Sequence, residues 1–280
     1  MTVPSSLLEV QDLTVRFHLR TGPVEAVRGV SFRLGRERLG IVGESGAGKS
    51  QTGRAILGLT PPPGEVTARR LVFDGIDLLT ASKRTLREVR GGRASMVMQD
   101  PKYSLNPVMT IGAQIVEAYR AHARASRGEA KDRALAMLEA VRMRDPARVF
   151  SLYPHEVSGG MGQRAMIAMM LVTDPDLLIA DEPTSALDVT VSMEVLRILD
   201  ELVSERGMGL ILISHDLKLV SSFCDRVLVM YAGKVVEELE ARDLGRAQHP
   251  YTRGLLGCLP RLDDERRPLP TLRRDPSWGA

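Results

Sequence analysis

The feature that most constrains this chain is a glycine-rich segment between a short apolar run and a helical pattern. The segment reads Gly43-Glu44-Ser45-Gly46-Ala47-Gly48-Lys49-Ser50 and fits the pattern G-x-x-x-x-G-K-S/T. Glycines let successive backbone N–H groups turn towards one anion, where a Cβ would obstruct the turn. The positive end of the following helix dipole adds to this attraction. The segment therefore predicts a loop that binds a nucleoside triphosphate, with Lys49 on the β- and γ-phosphates and Ser50 on Mg²⁺.

Two adjacent carboxylates, Asp181 and Glu182, follow the apolar run Leu177-Leu178-Ile179-Ala180. Such a run predicts a buried parallel strand, and open α/β sheets bind ligands at the carboxyl ends of their strands. Because Mg²⁺ prefers oxygen ligands, Asp181 is predicted to help hold it. Glu182 is predicted to polarise the water that attacks the γ-phosphate. In a chain without a phosphate loop, an exposed acidic turn before Pro183 would be the better interpretation.

Apolar periodicity alternates between strand and helix along most of the chain, which predicts an α/β fold with a mostly parallel sheet and crossover helices. Residues 101–154 have helical spacing without a strand, so they are predicted to form a helical insertion. From Arg242 onward the chain is rich in Arg and Pro and its periodicity is weak. Strands are predicted at 8–17, 27–34, 39–42, 71–73, 95–98, 177–180, 209–213 and 226–231, and helices at 49–59, 110–122, 129–141, 159–173, 191–205 and 217–223.

The amino-acid composition argues against several other functional classes of protein. The 38 basic residues nearly match the 35 acidic ones, so a solvated surface is favoured over a nucleic-acid surface. Aromatic residues make up only 4%, too few for a surface that stacks on single-stranded bases. Cys224 and Cys258 suggest neither a disulfide framework nor a zinc site, which fits a reducing cytoplasm. No signal peptide and no run of ~18 apolar residues is found, so any membrane spans are expected on other chains.

The segment Val157-Ser158-Gly159-Gly160-Met161 resembles the signature sequence of ABC ATPases, usually written LSGGQ. The resemblance implies that Ser158, Gly159 and Gly160 serve the γ-phosphate of an ATP held by an opposing subunit. A serine and glycine backbone at a helix N-terminus suits that task, because its N–H groups and dipole attract an anion. The family resemblance also implies a dimer with two ATP molecules between its subunits.

Other landmarks of this family follow in order along the chain. Gln99 resembles the Q-loop glutamine, which senses Mg²⁺ and the attacking water and connects to the membrane partner. Asp188, in Ser185-Ala186-Leu187-Asp188, resembles the D-loop at the dimer interface. His215 resembles the switch histidine that contacts the γ-phosphate. Phe17 is the candidate for the aromatic side chain that stacks on adenine, although a strand phenylalanine more often belongs to a core.

The resemblance covers about residues 8–260 and implies the ABC ATPase architecture. This is an α/β P-loop NTPase fold, with a RecA-like core, an antiparallel β subdomain and an inserted α-helical subdomain. The expected organisation is an ATP-binding domain at residues 1–245, with the helical subdomain inserted at about 101–164. A C-terminal extension typical of peptide importers is expected at 246–280.

Four groups of segments resemble the peptide and nickel importer branch of the family. They are Gln99-Asp100-Pro101 with Ser104-Leu105-Asn106-Pro107, Ser158-Gly159-Gly160-Met161 with Gln163-Arg164, Thr184-Ser185-Ala186-Leu187-Asp188-Val189-Thr190, and His249-Pro250-Tyr251-Thr252-Arg253. The resemblance implies an ATPase that uses ATP and Mg²⁺ to drive uptake of di- or oligopeptides. Its implied partners are two transmembrane permease subunits, a second identical or homologous ATPase and, indirectly, a periplasmic solute-binding protein. The implied location is peripheral, on the cytoplasmic face of the bacterial inner membrane, with no nucleic-acid partner.

Other interpretations stay open to different degrees. The alternative within the same branch is a nickel or metal-chelate importer, because the ATPase subunit does not touch the solute. ABC ATPases that act on DNA carry long coiled-coil or zinc-binding insertions, whereas Gln99 and Ser158 are only 59 residues apart. Translation factors of the family carry two cassettes in one chain, and exporter ATPases are often fused to their membrane domain.

Two departures from the branch pattern also matter. Gly162 stands where the branch usually has Gln or Arg, and a glycine inside a helix costs up to about 1 kcal/mol relative to alanine. Many members of the branch hold an iron–sulfur centre with a C-terminal cysteine cluster. Only Cys258 lies in that region here, so no such cluster is predicted.

Overall fold

The computed structural model describes residues 6–185, 187–259, 272 and 275–279. It divides into two compact units, the first formed by residues 1–79 with 211–280 and the second by residues 80–210. Ala186, part of the expected D-loop, lies outside the described residues, as does most of the expected extension beyond residue 259.

Strands and helices alternate along most of the described chain, as the periodicity predicts. The strands are β1 (Leu8–Leu19), β2 (Gly22–Leu34), β3 (Arg38–Val42), β4 (Gly64–Thr67), β5 (Arg70–Phe73), β6 (Ile76–Asp77), β7 (Ala94–Val97), β8 (Leu177–Asp181), β9 (Gly209–Ser214), β10 (Arg226–Tyr231) and β11 (Lys234–Glu240). The α-helices are α1 (Lys49–Ile56), α2 (Lys83–Val89), α3 (Pro101–Ser104), α4 (Ile111–Arg120), α5 (Arg127–Ala140), α6 (Pro146–Ser151), α7 (Gly159–Leu171), α8 (Val189–Arg206), α9 (Leu217–Phe223) and α10 (Pro250–Gly257). Short 3₁₀ segments are Pro154–Glu156, Ala241–Arg246 and Pro276–Gly279.

β1 is the centre of an antiparallel sheet in the first unit. It pairs with β2, β4 and β5, and β5 pairs with β6. The alternation of buried residues along β1 is interrupted between Val10 and Leu13, which are both buried although they are three positions apart. The pairing register with β2 shifts there, and Asp12 adopts a φ of 52°. A bulge of this kind returns the next apolar side chains to the core face. The strand buries Val15 and leaves Phe17, nearer its end, half-buried.

The second sheet of this unit has the order β11-β10-β3-β9, with residues 211–214 of β9 belonging to the unit. β10 runs parallel to β3 and antiparallel to β11. Both β3 and β10 are almost wholly buried, as their continuous apolar runs predict. α9 packs on β3 at Gly40, where a Cβ would lie only 2.2 Å from Val220 Cγ1. The end of β3 leads directly into the glycine-rich loop.

The second unit contains the buried parallel pair β7 and β8 together with a group of helices. Helices α4, α5, α6 and α7 pack against one another. Gly112 of α4 makes close packing on α6 possible, since a Cβ there would lie 2.2 Å from the Phe150 ring. The helical character predicted for residues 101–154 is confirmed, and no strand occurs among those residues, all of which are described.

Most predicted elements agree with the observed ones to within about three residues. β2 begins at Gly22 rather than at the predicted Val27, and α1 ends at Ile56, shortly before Gly58 takes a left-handed φ of 59°. The elements without a counterpart among the predicted strands and helices are α2, α3, α6, α10, β4, β6 and β11, of which α3 and α6 lie within the predicted helical insertion. No helix within the described residues is both long and apolar enough to span a membrane.

Both cysteines, Cys224 and Cys258, are free thiols. Burial, together with the charge of the neighbouring Asp225, raises the pKa of the Cys224 thiol to about 12. Cys224 is therefore protonated at neutral pH and is not a reactive thiolate.

Candidate functional site

The loop between β3 and α1 depends on glycine at two positions. Gly43 and Gly48 have φ values of 151° and 99°, which side chains rarely tolerate. A Cβ on Gly43 would lie 2.2 Å from the Met230 carbonyl oxygen, and one on Gly48 would lie 2.3 Å from the Ala26 carbonyl oxygen. A Cβ on Gly46 would meet no described atom within 4 Å. The ends of the loop are thus pressed onto the protein, while its tip faces open space.

Hydrogen bonds from neighbouring segments of the same unit hold this loop in place. In the turn between β10 and β11, the Gly233 N–H donates to the Ala47 carbonyl at 3.0 Å, and the Gly233 carbonyl accepts from the Arg28 N–H at 2.8 Å. The fully buried Thr52 hydroxyl donates to the Gly48 carbonyl at 3.1 Å. These bonds fix the loop in a turned conformation that is ready to receive an anion.

The ammonium group of Lys49 lies within the loop. Its side chain is only 5% exposed, and Nζ donates to the carbonyl oxygens of Gly43 at 2.8 Å and Glu44 at 2.9 Å. The first turn of α1 contains no acidic residue, and its N-cap, Gly48, offers no side-chain cap. A buried ammonium and the positive end of a helix dipole are therefore combined, an arrangement that favours a bound phosphate.

The structure also places the other two sequence-predicted site residues of this unit. His215 is exposed and directly follows β9, the neighbour of β3 in the sheet. Its backbone is held by the Asp216 N–H, which donates to Ser214 Oγ at 3.0 Å, and by Asp216 capping α9. Phe17 is half-buried against Gly64, where a Cβ would lie 2.9 Å from its ring. The nucleotide contacts of His215 and Phe17 stay predictions.

In the second unit, the predicted acidic pair stands at the end of β8. Asp181 is 4% exposed, and Glu182 adopts a left-handed φ of 46°, which is costly for a residue with a side chain. Ser185 supports this turn, since both its N–H and its hydroxyl donate to the Glu182 carbonyl, at 3.2 and 3.1 Å. Gln99 Nε2 donates to Glu182 Oε2 at 3.3 Å. The structure thus brings together Gln99 and Glu182, which the sequence places 83 residues apart.

The signature-like segment begins α7. Ser158 is the N-cap, and its Oγ accepts from the Met161 N–H at 3.4 Å. Ser158 and Gly159 are exposed, so the start of this helix faces solvent in the chain described here. A Cβ on Gly160 would lie 2.5 Å from Val191 Cγ1 of α8. Gly160 therefore allows the starts of α7 and α8 to lie close together.

Asp188 has a clear local role as the N-cap of α8, because its carboxylate accepts from the Val191 N–H at 3.0 Å. A carboxylate at this position also interacts favourably with the helix dipole. Asp188 is itself exposed. Its expected role at a dimer interface stays a prediction.

Replacing Gly162 by alanine should stabilise the chain. α7 continues unbroken through Gly162, and a Cβ there would lie 3.7 Å from the Pro101 side chain, an ordinary contact distance. Since alanine is the better helix former, the free energy of unfolding should rise by up to about 1 kcal/mol. Urea denaturation of the purified chain measures this change.

Gly160→Ala is the matched comparison in the same helix. Its Cβ would meet Val191 Cγ1 at 2.5 Å, so this variant should lower the free energy of unfolding. A loss of stability in Gly162→Ala as large as that in Gly160→Ala would show that Gly162 is required by the packing.

One residue near the loop is absent from the sequence-predicted site. The hydroxyl of Tyr251, in α10, accepts from the Glu44 N–H at 2.9 Å. The segment His249–Arg253 is noted above only as typical of a branch of the family. Nothing in the pattern of residues indicates that it reaches a loop 207 positions away.

Residues 27–185 match the family model described as ABC transporter. The chain is 49% identical over 264 residues to a probable peptide ABC transporter ATP-binding protein of Sinorhizobium fredii, covering 93% of this chain and 78% of that relative. It is 46% identical over 270 residues to a dipeptide transport ATP-binding protein of Haemophilus influenzae, covering 96% of this chain and 82% of that relative.

Among solved structures, the chain resembles an ATP-binding cassette captured as a dimer in a post-hydrolysis state with ADP and phosphate. The two share 26% identity with a TM-score of 0.74, over 84% of this chain and 99% of that one. The likeness confirms the predicted α/β fold of the P-loop NTPase type with ABC ATPase architecture.

Proposed function

The chain belongs to the ABC transporter family and is an ATP-hydrolysing subunit of such a transporter, and we propose that it drives the uptake of peptides across a bacterial inner membrane. One observation carries the proposal. Similarity to a subunit named for dipeptide transport extends over 96% of this chain, far beyond the nucleotide-binding motifs that all such ATPases share.

ATP binding rests on the loop at residues 43–50. Its backbone N–H groups and the Lys49 ammonium bind the β- and γ-phosphates, while the open side at Gly46 leaves room for them. His215 contacts the γ-phosphate, and Phe17 stacks on adenine. These two assignments come from the family resemblance, and the exposure of His215 and the half-burial of the Phe17 ring are compatible with them.

Hydrolysis rests on Glu182. Its carboxylate accepts a proton from the attacking water, and the Gln99 amide, at 3.3 Å, orients that carboxylate. The left-handed backbone at Glu182 is a strained conformation of the kind found at functional sites, and Ser185 holds it in place.

The donor groups assigned to Mg²⁺ suit that ion. They are the hydroxyl of Ser50, the amide oxygen of Gln99 and the carboxylate of Asp181, all of them hard oxygen ligands. The near-complete burial of Asp181 also favours a cation at its carboxylate. When bound, Mg²⁺ neutralises negative charge on the phosphates.

The proposed assembly contains a second ATPase, two transmembrane permease subunits and, indirectly, a periplasmic solute-binding protein. The chain is peripheral, on the cytoplasmic face of the inner membrane. Ser158, Gly159, Gly160 and Asp188 face the partner ATPase in this proposal, which is supported by the exposure of Ser158, Gly159 and Asp188. We assign residues 1–245 to the ATP-binding domain, about 101–164 to its helical insertion and 246–280 to the C-terminal extension.

Reconstitution tests the proposed solute. The chain, its companion ATPase and the two permeases are placed in liposomes, and phosphate release is measured with the binding protein added alone, with peptide or with Ni²⁺. Peptide should raise ATP hydrolysis severalfold, and radiolabelled peptide should accumulate inside the vesicles. Stimulation by Ni²⁺ alone would assign the chain to nickel uptake, and stimulation by DNA without permeases would overturn the transport proposal.

A further inference from the structure

The side chain of Tyr251, in the C-terminal part of the described chain, is hydrogen-bonded to the phosphate loop. The residue is fully buried, and its hydroxyl accepts from the Glu44 N–H at 2.9 Å. In a loop of this type most N–H groups turn towards the bound anion. The Glu44 N–H instead has a partner within the protein, so this bond shapes the loop and does not itself contact a ligand.

The bond acts on the same peptide unit that holds Lys49. The Gly43 carbonyl and the Glu44 N–H belong to one planar peptide group. The carbonyl accepts from Lys49 Nζ at 2.8 Å, and the N–H donates to Tyr251. Gly43 allows this plane unusual rotational freedom, with a φ of 151°. Fixing one end of the plane with the tyrosine hydroxyl therefore fixes the Gly43 oxygen, one of the two carbonyl oxygens that position the ammonium.

The ring of Tyr251 is held by two other aromatic residues. Its centroid lies 4.6 Å from that of Tyr231, the last residue of β10, and 5.8 Å from that of Trp278. The Tyr231 and Trp278 rings are also 5.8 Å apart, in an edge-to-face arrangement. Such contacts stabilise a fixed ring position, so the hydroxyl is held in place relative to the loop.

The start of α10 is anchored as well. Glu237 of β11 accepts from the N–H groups of Gln248 at 2.6 Å and His249 at 3.2 Å, and His249 caps the helix. Burial disfavours the charged form of Glu237, but the hydrogen bonds from these N–H groups favour it, and the pKa of Glu237 is lowered from its ordinary value. The charged carboxylate therefore persists at neutral pH and holds the segment that carries Tyr251.

We propose that Tyr251 is a positioning residue for ATP binding, which acts by fixing the Gly43–Glu44 peptide unit and, through it, the Lys49 ammonium. The proposal rests on the role of the loop as the ATP phosphate site. The segment that begins at His249 then contributes to nucleotide binding.

Tyr251→Phe tests the proposal, because it removes the hydroxyl and keeps the ring. The Glu44 N–H then loses its partner, and the peptide plane becomes free to rotate. We expect the Kd for ATP, measured by calorimetry on the full chain, to rise about tenfold. The effect should appear in KM more than in kcat, since Glu182 and Gln99 are unchanged.

Tyr231→Phe is the matched control, since it removes a hydroxyl from the same aromatic cluster and leaves the Glu44 bond intact. Its Kd should stay within about twofold of wild type, a change of about 0.4 kcal/mol. Equal ATP affinities for the two variants would overturn the proposal. So would a Tyr251→Phe chain whose unfolding free energy falls while its folded fraction binds ATP normally, because that is the result of a purely structural role.

Hydrogen exchange on the wild-type chain tests the Glu44–Tyr251 bond directly. Hydrogen exchange should show the Glu44 amide protected without nucleotide, and exchange at the rate of an open loop amide would contradict the bond. If the wild-type chain failed to bind ATP, the assigned role of the whole loop would fail. If it bound ATP with an affinity indifferent to Tyr251→Phe, only the proposal for Tyr251 would fail.

Discussion

Glu182→Gln should lower the rate of ATP hydrolysis by about a hundredfold to ten-thousandfold, the range expected when a general base is lost. Glutamine has nearly the same shape but cannot accept the proton of the attacking water. The substitution leaves the phosphate loop intact, so ATP affinity should be unchanged. Phosphate release and calorimetric binding, measured on the same preparation, separate the two effects.

Glu205→Gln is the matched control for this experiment. Glu205 is an exposed carboxylate in the last turn of α8, in the same unit as Glu182. Its replacement removes the same charge without touching the turn at the end of β8, so hydrolysis should continue at the wild-type rate. Hydrolysis by Glu182→Gln at the rate of this control would remove Glu182 from its assigned role.

The geometry of the turn makes Glu182→Gln a cleaner test than a change to a smaller residue. Glu182 has a left-handed φ of 46°, and the bonds that stabilise it come from Ser185 to the backbone carbonyl. Glutamine keeps those backbone bonds. Its side chain also still offers an oxygen to the Gln99 amide, although without the charge that strengthens the bond.

The turned conformation of the glycine-rich loop and the position of the acidic pair at the end of β8 could be predicted, because each depends on consecutive residues. Gly43 and Gly48 stand where a Cβ would collide with backbone oxygens, so the pattern of glycines records the backbone conformation directly. Asp181 and Glu182 follow a continuous run of apolar residues, and such a run predicts a buried strand. The strand–loop–helix order then follows from short-range periodicity.

Other features could not be predicted, because they depend on contacts between distant segments. The bond from Glu44 to Tyr251 joins residues 207 positions apart, and helix α10 lies in a region whose periodicity is weak. The start of α10 does carry a local signal, an N-capping His249 followed by Pro250 in the first turn. Its docking, however, depends on Glu237 and on the rings of Tyr231 and Trp278, which no local pattern connects to it.

Lys49→Ala should weaken ATP binding by about a hundredfold or more. The ammonium is 5% exposed and already held within the loop, so little rearrangement opposes its contact with the phosphates. Hydrogen bonds to charged groups are worth about 1.5–3 kcal/mol each, and two of them correspond to at least a hundredfold in Kd. Calorimetric titration with ATP measures the loss.

The loop should keep its shape in this variant, because its glycine conformations and its bonds to Gly233 and Thr52 do not involve the lysine side chain. Lys218→Ala, which removes an exposed lysine of the same unit, should leave the affinity unchanged. An ATP affinity equal to that control would contradict the role of Lys49. Since Tyr251 acts only through the position of this ammonium, Tyr251→Phe must weaken binding less than Lys49→Ala does, and the reverse order would show that the tyrosine hydroxyl supports the loop by another route.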